Sequence, residues 1–168
     1  MVSKYKFLRT VDGISYFARV WVEVDLDSGI VEVVDAIGRN ANSNEGEYDA
    51  QTASSWVNAA LEGASAAAEY LINAGFIQNG CLVRIMRLVG SIVDSREDVI
   101  SCAAALATWQ AACPHWPLPE PFFERGAWKL KYPKIEHEAN ILLRLSKPDI
   151  NSEMERSKHT ATSGMAEL

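Results

Sequence analysis

Apolar and polar positions alternate with period two over the first third of the chain. They take up helical spacing from Trp56, and a second helical stretch ends at a proline-rich break over residues 113–121. In the first third, Val20, Val22 and Val24 alternate with Arg19, Trp21, Glu23 and Asp25. That is the signature of a strand with one buried and one wet face, with Trp21 placed on the wet side. The full run, Ile14 to Leu26, is preceded by a shorter strand over residues 4–10 (Tyr5, Phe7 and Leu8 between Lys4, Lys6 and Arg9), across an Asp12-Gly13 turn. Asp27-Ser28-Gly29 turns the chain again, and Ile30 to Ile37 reads as a third strand, so the region is expected to be an antiparallel meander. Residues 38–50, with three asparagines and two glycines, read as a loop.

A helix is predicted from somewhere in Thr52–Ser55 onward. Trp56, Ala59, Ala60, Gly63, Ala64, Ala67, Tyr70, Leu71 and Ala74 recur at helical spacing, and Gly75 stands where a helix terminator belongs. So little bulk on one face suits close approach to a sheet or a second helix. Cys81 to Val89 is a strongly apolar strand interrupted by Arg84 and Arg87, which three-residue spacing places on opposite faces of a regular strand. Ser95 with Asp98 resembles a capping box, and Glu97 and Asp98 suit a helix N-terminus. Val99, Cys102, Ala103, Leu106, Ala107 and Trp109 carry that helix to about Ala112, before four prolines in nine residues break it. Ala127 to Tyr132 reads as a strand with Trp128, Leu130 and Tyr132 on one face; Glu136 to Leu145 reads as a short helix. The chain divides into one domain over 1–145 and a polar tail over 146–168, expected to be disordered.

The charge changes this picture in one respect. A net charge of −6 and a pI of about 5.1 argue against a broad phosphate-binding face, while leaving room for a local basic patch. No apolar run is long enough to span a bilayer, and the basic N-terminus lacks an apolar core behind it, so neither a membrane anchor nor a signal peptide is expected. Cys81, Cys102 and Cys113, odd in number and without a close pair, fit reduced thiols and a cytoplasmic location.

Several stretches carry a resemblance. They are Phe17-Ala-Arg-Val-Trp-Val-Glu-Val24, the Ala60 to Gly75 helix with its glycine terminator, Val83 to Val89, and Gly90-Ser91 followed by Asp94-Ser95 and Ala103-Ala-Ala-Leu-Ala107. In this order, over about residues 10–113, the chain resembles domain IV of translation elongation factor G. The resemblance implies an α/β (α+β) two-layer sandwich: a mostly antiparallel four-stranded sheet with two alanine-rich helices on one face, plus a C-terminal extension. It implies kinship with the second domain of a small-subunit ribosomal protein, with small-molecule kinases and with some proteases.

The family's tip chemistry does not come with it. Where the family has a glycine- and arginine-rich turn, this chain has Val11-Asp-Gly-Ile-Ser15. Where the family has an aromatic and a histidine, it has Ile92 and Val93. A phosphate loop of the G-x-x-x-x-G-K-[ST] type is missing from the sequence, which excludes a translocase. Neither helix start offers the glycines a kinase needs for ATP phosphates, and no lysine lies between Lys6 and Lys129 to serve a serine–lysine dyad. Cys113 and His115 flank a proline and read as a helix-end thiol and a loop imidazole; Glu136-His137-Glu138 reads as a solvated turn.

The residues left for binding are Arg84 and Arg87 on the apolar strand, and Trp21, Trp116 and Trp128 as a candidate aromatic patch, with cross-strand pairing of the arginines to Glu23, Glu32 or Asp35 as the plain alternative. Either the segment 114–132 adds to such a patch or it folds back over the open face of the sheet. The expectation is a non-enzymatic binding module, without cofactor or metal, for a protein partner or a second copy of itself. A ribosome- or RNA-associated factor is the alternative that the charge disfavours, and a small enzyme with an unrecognised site is the other.

Overall fold

The computed structural model describes residues 1–38 and 54–133. The expected loop over 38–50, the helix over 136–145 and the polar tail lie, but for Gly38, outside them. Six strands and two helices follow in the order β1 (Val2–Val11), β2 (Ile14–Asp25), β3 (Val31–Asp35), α1 (Ser54–Asn73), β4 (Cys81–Val89), α2 (Glu97–Ala112), β5 (Glu120–Glu124) and β6 (Ala127–Lys131).

The first hairpin follows from its turn. Val11 pairs Ile14 across Asp12 and Gly13, which have φ of 51° and 77°, so both central residues are left-handed as a type I′ turn requires. The register then carries β1 along the whole of β2, to Val2 opposite Glu23. The expected meander stops there. The four-stranded sheet has the order β1-β2-β4-β3, with β1–β2 and β2–β4 antiparallel and β3–β4 parallel. β3 therefore does not return beside β2; α1 carries the chain over to β4, which takes the place between them. Gly80 permits the join: with φ at 85°, its α-carbon sits so close to Ile30 that an added β-carbon would lie 2.6 Å from the Ile30 nitrogen.

Both helices cover one face. Phe7, Tyr16, Ala18, Val20, Val22, Val24, Val83 and Ile85 point into it from the strands, and Ala60, Ala64, Leu71, Val99, Leu106 and Trp109 meet them from the helices, all buried. The small residues of α1 serve close packing as expected. Gly63 rests on the backbone of Ser101 in α2, where an added β-carbon would lie 2.1 Å from the carbonyl oxygen. Gly75, at φ 78°, ends α1 in the left-handed conformation.

The capping box does not form. Ser95 is buried, and its hydroxyl accepts from Ser91 N–H at 2.7 Å and donates to the Phe17 carbonyl at 2.5 Å. The hydroxyl thus ties the 90–95 loop to β2, and α2 begins after Arg96 with no side-chain cap.

The β5–β6 hairpin, whose first strand the proline run concealed, extends the helix layer. Trp128 packs edge-on against Phe7 at 5.0 Å and against Tyr16 at 5.7 Å. Its backbone N–H donates to Asp98 Oδ2 at 2.7 Å, while Arg96 donates to the Gly126 carbonyl at 2.8 Å. Tyr132 stacks on Tyr70 at 4.4 Å. The segment 114–132 therefore lies on the helix side and not over the other sheet face.

Candidate functional site

Alternation along β2 delivers Phe17, Arg19, Trp21, Glu23 and Asp25 to the face without helices. β1 adds Leu8 opposite Phe17, Lys6 opposite Arg19 and Lys4 opposite Trp21. β3 adds Glu32 and Val34, beside Leu82 and Arg84 of β4.

The two arginines of β4 are placed by an irregularity. Val22 pairs Ile85 but Trp21 pairs Arg87, so Met86 is an extra residue with no partner across the ladder, a β-bulge. The bulge resets the alternation. Arg84 lies opposite Glu23 and Arg87 opposite Trp21, on the same, helix-free face. A regular strand would have separated them, and the expectation of opposite faces is corrected on that ground.

Arg84 donates to Glu23 Oε2 at 3.2 Å, the cross-strand pair anticipated as the plain alternative. Both side chains are more than a third exposed, so the pair contributes little to stability.

Around Trp21 the surface is cationic. The Arg87 guanidinium lies 4.9 Å from the ring centroid, Arg19 5.6 Å and the Lys4 ammonium 5.9 Å. Arg19 also lies 5.9 Å from the Phe17 ring, and Lys6 lies 6.0 Å from it. In the cross-strand rows from Leu8–Phe17 to Lys4–Trp21–Arg87, the described residues include Lys4, Lys6, Arg19 and Arg87 and no carboxylate. The carboxylates of this face, Glu23, Asp25 and Glu32, gather at its other end. There Glu23 is engaged by Arg84, and Asp25 Oδ1 accepts from the Asp27 N–H.

The three tryptophans named from the sequence do not form one patch. Trp21 is half-buried on the helix-free face. Trp128 is buried on the helix side under Phe7, Tyr16 and Phe123. Trp116 packs edge-on against Phe76 at 4.8 Å, beyond the end of α1. What sequence reading missed were Lys4, Lys6 and Phe17. Their signal was present: the polar phase of the β1 and β2 alternation is basic and aromatic together.

A groove of about 530 Å³ runs between α1, the start of α2 and β6, lined by Glu62, Glu97, Asp98, Ser101, Cys102 and Trp128 among others. Burial pushes the Cys102 thiol up to about 12, with Asp98 adding to the rise, and pushes Tyr132 in the same groove up to about 12. An activated nucleophile needs the opposite shift. Cys113 is likewise pushed up to about 11 by burial, and His115 is exposed. Among the described residues no group of three or more His, Cys, Asp or Glu is placed to hold a metal ion, and no helix is long and apolar enough to cross a membrane.

No family model matches this sequence, and no similar curated protein was found. Among solved structures, the chain is similar to an elongation-factor-G-like protein of Thermus thermophilus, with a TM-score of 0.51 and 22% identity over 71% of this chain. This chain spans only 17% of that protein's length. The similarity shows a related fold.

Proposed function

We propose that this protein is a non-enzymatic binding module on an elongation-factor-G-domain-IV-like scaffold, working through the helix-free face of its sheet. The observation that carries the reading is the concentration of Lys4, Lys6, Arg19 and Arg87 around Phe17 and Trp21 in a chain of net charge −6. Among the described residues, that half of the face carries these four basic groups and no carboxylate. Rings and cations held together on one surface are a recognition feature, since none of them is needed to close the core. Against this, the helix-side groove offers one thiol and a phenol held in their neutral forms.

The test is affinity capture from the native cell with identification of both protein and RNA. It compares the unaltered chain with a Lys6→Glu/Arg19→Glu variant and with a helix-side control, Glu62→Lys/Glu69→Lys. The captured species is expected to be lost with the first variant and kept with the second. Capture that survives the face substitutions, or is lost only with the helix-side ones, overturns the reading.

A further inference from the structure

We infer that the occupant of the helix-free face is a single-stranded nucleic acid, an inference that rests on the reading above and names its partner. Charge complementarity singles out a polyanion: the described half-face around Trp21 presents Lys4, Lys6, Arg19 and Arg87 without a carboxylate among them. The rings narrow the class further. A protein's acidic surface needs only the cations. Phe17 and Trp21 lie on the same face of β2, about 13 Å apart along the strand, with Arg19 between them. Unpaired bases stack on aromatic rings and on guanidinium planes alike, and this face alternates the two. In a duplex the bases are stacked on each other and offer these rings nothing, so the surface favours single strands. The bulge at Met86 belongs to the same design, because without it Arg87 would point into the core and the cationic cluster would lose its nearest contact to Trp21.

The acidity of the whole chain does not oppose this. Among the described residues, acids stand on α1 (Glu62, Glu69), at the start of α2 (Glu97, Asp98) and on the β5–β6 hairpin (Glu120, Glu124). Glu23, Asp25 and Glu32 stand at the other end of the sheet face, so a polyanion is directed to the end of that face around Arg19.

The test uses the purified full chain and labelled homopolymeric RNA and DNA oligonucleotides of about ten nucleotides, single-stranded and as duplexes, followed by anisotropy across a salt series. Single strands are expected to bind more tightly than duplexes. With Lys4, Lys6 and Arg19 engaged, the log–log salt slope is expected at about −2, and Lys6→Gln or Arg19→Gln each flattens it by about 0.7. Trp21→Ala is expected to weaken binding about tenfold, whereas Trp21→Phe retains most of it and removes the quench of tryptophan fluorescence on binding. Glu62→Lys on the helix side, and melting curves for each variant, control for fold.

Equal affinity for duplex, absence of binding at low salt, or binding unmoved by Trp21→Ala overturns the inference. If such a failure accompanies loss of a captured protein with Lys6→Glu/Arg19→Glu, the working face stands and its partner is a protein. If the face substitutions leave capture intact as well, both fall.

Discussion

Two buried hydroxyls show how much the fate of one polar atom depends on its neighbours. Thr108 is wholly buried in α2, and its Oγ1 has no hydrogen-bond partner. Ser95 is nearly as buried, but its hydroxyl bridges Ser91 N–H and the Phe17 carbonyl. The same deletion should therefore act with opposite signs. Thr108→Val removes an unsatisfied group in a similar volume and is expected to stabilise by about 1 kcal/mol. Ser95→Ala leaves an N–H and a carbonyl unpaired and is expected to destabilise by about 1–3 kcal/mol. Urea midpoints at unchanged slope measure both. The sequence marked Ser95 as a helix cap by its spacing to Asp98. That reading erred because Phe17, remote in sequence, competes for the hydroxyl. At the candidate site, Trp21, Arg84 and Arg87 were legible as polar or aromatic positions out of keeping with their strands. Lys4 and Lys6 were legible only as wet-phase positions, because a lysine there looks the same whether it faces solvent or a ligand.

Elements show the same dependence on close neighbours. In an exposed helix, Gly→Ala stabilises by about 1 kcal/mol. Gly63 is expected to do the reverse, since its new β-carbon would stand 2.1 Å from the Ser101 carbonyl oxygen, a backbone atom that moves only if α2 moves. Gly63→Ala is expected to cost about 1–3 kcal/mol, read as a lowered melting temperature. The β5–β6 hairpin turns through Arg125 and Gly126 with φ of 53° and 80°, a type I′ geometry in which arginine is strained. Arg125→Asn is expected to stabilise by about 0.5–1 kcal/mol in the same measurement. Arginine at that position is also why β5 escaped the sequence reading: no turn signal announces the hairpin, and Pro119 and Pro121 flank the strand's first residue.

For the molecule as a whole, the core thiols and one phenol tie stability to alkaline pH. Cys81, Cys102 and Cys113 are all buried thiols raised above the ordinary value of 9.0, and Tyr132 is raised from 10.0 to about 12. Their unfolded counterparts ionise first, so the stabilisation is complete below pH 9 and is lost as pH rises from 9 toward 11–12. Urea melts are expected to hold their midpoint from pH 7 to about pH 8 and to fall as pH rises through 9, by about one kcal/mol per pH unit for each thiol still protonated in the fold. Cys102→Ala should lessen that slope, whatever it does to the stability at neutral pH.

Period and punctuation by themselves determined the elements of the described chain other than β5. The alternation of β2, the small-residue helices and the apolar strand from Cys81 to Val89 follow from local pattern, while two helices on one sheet face were implied by the family resemblance. Tertiary structure alone decided which strands pair and which face each charge reaches. An alternating strand specifies two faces but not its neighbour, so β3 was free to read as a meander strand until β4 took the place beside it. One unpaired residue at Met86 was enough to bring Arg84 and Arg87 to the same surface, because parity along a strand is counted from the partner's register and not from the sequence.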